Sequence, residues 1–185
     1  MDAAADDDAT LLARTGRGEE AAFNRLVLRH TAFVHRIALR FTQNGADADE
    51  ITQSVFWTLW TQAAKWDAGR ARLRTWLYRV TVNRCIDHGR KARRWRFFAS
   101  AEVGAVADDG PGADDTAIAR SDLAQVRRAI MALPARQRMA LLLVAGEELS
   151  VPEAAELMET TPRALEQLLV RGRKKLREMT ERDER

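Results

Sequence analysis

Cys85 is the only cysteine, so no intrachain disulfide can form. A four-ligand zinc site would need Cys85 with His30, His35 and His88, and no short ligand spacing unites these four. No apolar run approaches the roughly 18 residues that suggest a membrane span. The start of the chain carries Asp2, Asp6, Asp7 and Asp8 and lacks the basic-then-apolar pattern of a secretory signal. The expected compartment is therefore the cytoplasm. A phosphate-binding glycine loop is missing, as is a clustered metal-binding pattern of carboxylates, which argues against an enzyme acting on nucleic acid. Asp47, Asp49 and Glu50 do crowd together, but at an expected helix start, where capping accounts for them. No metal and no cofactor are expected.

Strand-like alternation is also missing, and Ala, Leu, Arg and Glu dominate, so the fold class reads as all-α. A length of 185 residues allows one large domain or two small ones. The net charge of +3 hides strong segregation. Arg70 to Arg96 is densely basic with Asp87 its only carboxylate, and Arg171 to Arg177 is basic again. Between them, Glu102 to Asp115 is acidic and holds no Lys or Arg. Two basic blocks around an acidic one suggest two surfaces for a polyanion.

Apolar residues Phe23, Leu26, Val27, Phe33, Val34, Ile37 and Phe41 recur at helical spacing, and Gln43-Asn44-Gly45 ends that helix. A second helix is expected from about Asp47 to Trp66, with Ile51, Val55 and Leu59 on its core face, followed by a break at Asp67-Ala68-Gly69. A third runs from Leu73 to about Arg94 on a stripe of Leu73, Trp76, Leu77 and Val80. Residues 97–117 read as a flexible acidic linker that buries too little apolar surface to offset its ordering entropy. Beyond it, helices are expected at about Ser121–Ala132, Ala135–Ala145, Ser150–Met158 and Thr161–Thr180. Pro134 suits the first turn of the second of these, Ser150 with Glu153 forms a capping box, and Thr161-Pro162 starts the last.

The final two helices have helix-turn-helix dimensions. Leu165, Leu168, Leu169, Gly172 and Leu176 fall on one side of the last helix, opposite Arg163, Glu166, Gln167, Arg171 and Lys174. In a major groove Arg pairs with guanine, Gln with adenine, and Glu accepts from cytosine. Arg171, Arg173, Lys174, Lys175 and Arg177 suit phosphates. A solvated basic face on a plain helical bundle is the competing explanation. The cap-turn-Pro punctuation favours DNA binding, although Glu159-Thr160 occupies a turn where such motifs often carry glycine.

In the first half, Asp47-Ala-Asp-Glu-Ile-Thr-Gln-Ser-Val-Phe-Trp-Thr-Leu-Trp60 resembles the polymerase-binding helix of extracytoplasmic-function (ECF) sigma factors. Leu73-Arg-Thr-Trp-Leu-Tyr-Arg-Val-Thr-Val-Asn-Arg84 resembles their promoter-melting helix. Leu133-Pro-Ala-Arg-Gln-Arg138, Leu149-Ser150 and the final helix resemble their second domain. The resemblance spans about Ala21 to Arg177 and implies a promoter-recognition subunit of RNA polymerase, not an enzyme. Its implied domains are an N-terminal tail and short lead-in (1–18), a helical bundle (19–96), the linker (97–117), a four-helix helix-turn-helix domain (118–180) and a tail (181–185).

The resemblance also implies site residues. Contacts to the −10 element and its melted strand fall on Arg72, Arg74, Trp76, Tyr78, Arg79, Asn83 and Arg84. Asn83 and the loop after Trp60 would form a pocket for a flipped base. Trp76 reads more readily as core, whereas Tyr78 and Arg79 lie off the apolar stripe. Contacts to the −35 element fall on Arg163, Glu166, Gln167, Val170, Arg171, Arg173 and Lys174. Glu166 replaces a residue that is basic in many relatives, so the −35 sequence cannot be copied from them. Core polymerase, through the clamp region of its largest subunits, would meet Asp49, Glu50, Ile51, Gln53, Phe56, Trp57 and Trp60. Ser54 stands where the family often has Glu. An anti-sigma protein is an implied partner, and the linker is implied to thread toward the RNA-exit path. The competing function is a helix-turn-helix regulator that dimerises through Phe56, Trp57 and Trp60. Cys85 reads as a packed, inert thiol.

Overall fold

Four helices start where a side chain accepts a hydrogen bond from the first free amides. The Asp7 carboxylate accepts from the Thr10 amide at 2.8 Å and opens α1 (Asp8–Gly16). Asn44 does the same for α3 (Gly45–Gln62), accepting from Asp47 at 3.1 Å. Ser150 opens α7 (Val151–Leu157) with both halves of the expected capping box. The Thr161 hydroxyl accepts from Ala164 at 3.2 Å ahead of α8 (Pro162–Asp183). The remaining helices are α2 (Glu20–Thr42), α4 (Leu73–Glu102), α5 (Ala117–Met131) and α6 (Ala135–Leu141). The computed structural model describes residues 6–66, 72–102 and 117–183, and among these no strand occurs. The chain divides into two units, Met1–Cys85 and Ile86–Arg185, and α4 runs through the division.

In the first unit, α2 packs on α1 and α3. Leu11, Leu12, Leu26, Val34, Phe41, Val55, Leu59 and Leu77 are buried together with Cys85. In the second, α8 packs on α5, α6 and α7 around Met139, Leu143, Ala155, Met158, Leu165 and Leu169. Here the Leu133–Arg138 segment has a structural task. The Arg136 guanidinium donates to the Met158 carbonyl at 3.2 Å, satisfying an end of α7. Buried Arg138 donates to the Met131 carbonyl at 3.3 Å at the end of α5.

Several boundaries differ from the sequence expectation. Residues 8–16, read as part of a tail and lead-in, form a helix whose Leu11, Leu12 and Thr15 are buried. The acidic start is a latch onto α2. Asp6 meets Arg14 at 2.7 Å and Arg25 at 3.1 Å, while Asp8 meets Arg29 at 2.6 Å and His30 at 2.8 Å. Helix α3 begins at Gly45, before the expected Asp47, because Asn44 caps it. Its expected last turn tightens into a 3₁₀ turn at Ala63–Lys65. Helix α4 continues to Glu102 and α5 begins at Ala117, so residues 97–102 and 117 of the expected linker are helical. Pro134 precedes α6 as its N-cap instead of lying in its first turn, and Leu142–Gly146 widens into a π turn. Residues 67–71 and 103–116, with the expected break and most of the linker, lie outside the described residues.

Candidate nucleic-acid and protein interfaces

Helix α8 has two chemically opposite faces. Leu165, Leu169 and Gly172 are buried against the second unit. A Cβ on Gly172 would sit 3.0 Å from Leu141, so glycine allows α8 to approach α6 closely. Arg163, Glu166, Gln167, Val170, Arg171, Arg173 and Lys174 are all exposed. Val170, an apolar residue 65% exposed amid polar neighbours, has the chemistry to meet a thymine methyl. The preceding turn is made with Glu159 at φ 48°, a left-handed conformation more often taken by glycine. The Glu153 carboxylate, bonded to the Ser150 hydroxyl and amide, is held below its ordinary pKa.

Along the first half of α4, Arg72, Arg74 and Arg84 are exposed, and Tyr78, Arg79 and Asn83 are half-buried. Trp76 behaves differently. It is 8% exposed and packs edge-on against Trp66 at 5.5 Å, which makes it core and withdraws it from direct stacking on DNA. Tyr78 meets the Phe33 ring edge-on at 5.6 Å, and the Arg74 guanidinium lies 4.5 Å above that same ring. Arg84 donates to the Thr58 hydroxyl at 3.0 Å, tying α4 to α3.

Between α2 and α3 runs a groove of about 560 Å³, lined by Phe23, Val27 and Thr31 on one side and Gln53, Phe56, Trp57 and Trp60 on the other. Phe23 and Trp60 meet edge-on at 5.0 Å. Trp57 is 68% exposed at its rim, an unusual position for the largest side chain. Asp49, Glu50 and Gln53 are exposed. Phe56 is nearly buried and reaches the surface only as groove lining. Ile51, expected at the interface, is buried at 3% exposure and belongs to the core with Val55 and Leu59. Asp49 lies 3.2 Å from His35, an ion pair when that imidazole is charged. Among the described residues no group of three or more His, Cys, Asp or Glu is placed to hold a metal ion. No helix among them is long and apolar enough to cross a membrane.

These surfaces coincide with two family models: sigma-70 region 2 matches residues 26–95, and sigma-70 region 4 matches 123–176. The chain is 31% identical to the RNA polymerase sigma factor CnrH of Cupriavidus metallidurans, over 96% of each chain. It is 30% identical to the ECF RNA polymerase sigma factor SigM of Mycobacterium tuberculosis, over 91% of this chain and 82% of that one. The chain belongs to the ECF sigma factors. Its fold matches the solved structure of CnrH in complex with the cytosolic domain of CnrY, with a TM-score of 0.59 and 27% identity over 96% of this chain and 99% of that one. A similar fold, at TM-score 0.58, 21% identity, and coverage of 86% and 96%, occurs in the sigma factor RpoE in complex with the anti-sigma factor NepR from Bartonella quintana.

As a sigma factor, the protein directs RNA polymerase to promoters. The region 2 match contains the α3 wall of the groove and the first half of α4, and the region 4 match contains the helix-turn-helix. Sequence reasoning overlooked two parts of this sigma factor. The α2 wall of the groove, Phe23 and Val27, reads in the sequence only as part of an apolar stripe at helical spacing. Phe33 was read the same way, yet it is half-buried between arginines. Both lie on the edge of the stripe, where periodicity alone does not separate core from rim.

Proposed function

We propose that this sigma factor divides its work among three surfaces. The groove between α2 and α3, with Trp57 at its rim and Gln53, Phe56 and Trp60 along it, grips the polymerase clamp. Exposed Asp49 and Glu50 add polar contacts at the edge. An apolar floor with a protruding tryptophan and a charged rim is the chemistry of an interface with a concentrated binding hot spot. Arg72 just before α4 and Arg74, Tyr78, Arg79, Asn83 and Arg84 on it hold the −10 element. The arginines meet phosphates, Tyr78 stacks, and the Asn83 amide reads the edge of an extracted base. The exposed face of α8 reads the −35 element. Arg171 pairs with guanine, Gln167 with adenine, Glu166 with a cytosine amino group and Val170 with a thymine methyl, while Arg163, Arg173 and Lys174 meet phosphates.

The observation that carries this reading is the division of α8. Arg163, Glu166, Gln167, Val170, Arg171, Arg173 and Lys174, the residues expected at the −35 element, are exposed, while Leu165, Leu169 and Gly172 opposite are buried. The protein performs no catalysis of its own and acts in the cytoplasm, where polymerase and promoters are. CnrH and RpoE are seen in complexes with CnrY and NepR, which supports an anti-sigma partner for this chain. The apolar groove is the surface such a partner would cover.

Reconstituted transcription tests the reading. Core polymerase with the full chain, given a library of genomic fragments, is expected to initiate at discrete start sites that core polymerase alone does not use. Their upstream sequences should share paired elements at −35 and −10. A chain that forms a stable dimer, binds palindromic sites and starts no transcription would support the competing regulator instead.

A further inference from the structure

We infer that the single-stranded DNA surface continues from α4 onto α2, where Phe33 is a positioning residue for Tyr78 and Arg74 and Arg36 is a further phosphate contact. The inference rests on the reading of α4 as the melted-strand surface. Phe33 belongs to the apolar stripe of α2, but its ring is half-buried instead of closed into the core. Its surroundings explain why. Tyr78 packs edge-on against it at 5.6 Å, Arg74 lies over its face at 4.5 Å, and Arg36 approaches the same ring at 6.0 Å. Arg36 and Arg74 are both exposed.

A ring with this environment fixes the direction of two flexible neighbours. Edge-to-face packing limits Tyr78, and the cation over the ring face limits Arg74. Both are residues that would have to be in place before a base leaves the duplex. Holding them in the free protein removes an ordering cost from strand capture. Arg36, three residues on, puts a second guanidinium beside the same ring from α2 itself, facing Arg74 of α4. Two arginines converging on an aromatic pair match the charged, stacking surface that single strands require.

The test uses full-length protein assembled with core polymerase on two promoter templates, one a linear duplex and one premelted around −10. Phe33→Leu is expected to slow open-complex formation on the duplex by about fivefold, the scale of one aromatic and one cation contact, and to leave the premelted template within twofold. Phe33→Tyr should restore the duplex rate. Arg36→Ala, at an exposed position and checked by an unchanged thermal melt, should weaken binding to the premelted template and reduce its salt dependence. Tyr78→Ala is the reference for the underlying reading. If Tyr78→Ala is selective for the duplex while Phe33→Leu affects both templates equally or neither, and Arg36→Ala changes nothing, Phe33 is packing alone and the inference falls. If Tyr78→Ala shows no duplex selectivity, the assignment of α4 fails, and the inference with it.

Discussion

Arg171 stands on the exposed face of α8, one turn beyond Gln167 and well removed from the buried Leu165. A bidentate contact to guanine from that place fixes a base identity, whereas Arg173 and Lys174 beside it answer to phosphates. Arg171→Ala is expected to weaken −35 duplex binding by about 1–3 kcal/mol and to relax preference at a single base pair. Equilibrium binding of the holoenzyme to matched and single-base-changed duplexes checks both effects. Unchanged affinity would leave Arg171 in solvent. At this scale the sequence was legible where a helix has two plainly different sides, as in α8. Trp76 and Tyr78, two residues apart on one helix, were also told apart, the first as core and the second as off the apolar stripe, but their partners were not. Trp76 closes on Trp66 in the core, whereas Tyr78 turns to Phe33, a partner on another helix that periodicity cannot reveal. Ile51 carries two expectations, core face by periodicity and interface by its family segment, and its burial agrees with the first.

Helices with a capped start or a regular apolar stripe were legible as elements: α2, by its stripe, and α7 and α8, by their caps, fall close to expectation. Helix α1 was not, because its short segment offers only Leu11 and Leu12 as apolar anchors. Its stability comes from contacts remote in sequence. One such contact is an approach of backbones. A Cβ on Gly16 would lie 2.8 Å from the Ala63 carbonyl oxygen, which has no flexible end to move aside. Gly16→Ala is therefore expected to destabilise the first unit by about 1–3 kcal/mol. Gly45→Ala, which meets open space, should change stability by no more than about 1 kcal/mol. Thermal melts of the two variants compare them directly, and equal melting temperatures would contradict the close contact.

The capping box of α7 gives a pH-dependent prediction. Hydrogen bonds from Ser150 lower the Glu153 pKa from its ordinary 4.5. In acid the unfolded chain therefore takes up a proton before the folded one does, so this contribution is present above pH 4.5 and lost as pH falls through the lower folded value. The stability difference between wild type and Glu153→Gln should be constant near neutrality and close in acid. Denaturant midpoints measured across that range check it, and a difference independent of pH would remove Glu153 from the account.

For the whole molecule, the segregation of charge was the clearest sequence signal. Basic residues gather on α4 and α8, and the acidic N-terminus turns inward onto Arg14, Arg25 and Arg29. What the sequence concealed was the α2 side of the groove, although it did show which residues of α3 supply its core. Ile51, Val55 and Leu59 fill that role, which leaves Trp57 standing out beside a groove shared with α2. A large aromatic kept in water is costly to a lone protein and favourable to one that binds a partner there. Binding of the full-length chain to purified core RNA polymerase is therefore the decisive quantity. The wild type should bind stably, and Trp57→Ala should weaken binding by about tenfold or more with no loss of thermal stability. If the wild type and core enzyme do not associate, or if Trp57→Ala binds as tightly as wild type, the groove is not the polymerase grip described above.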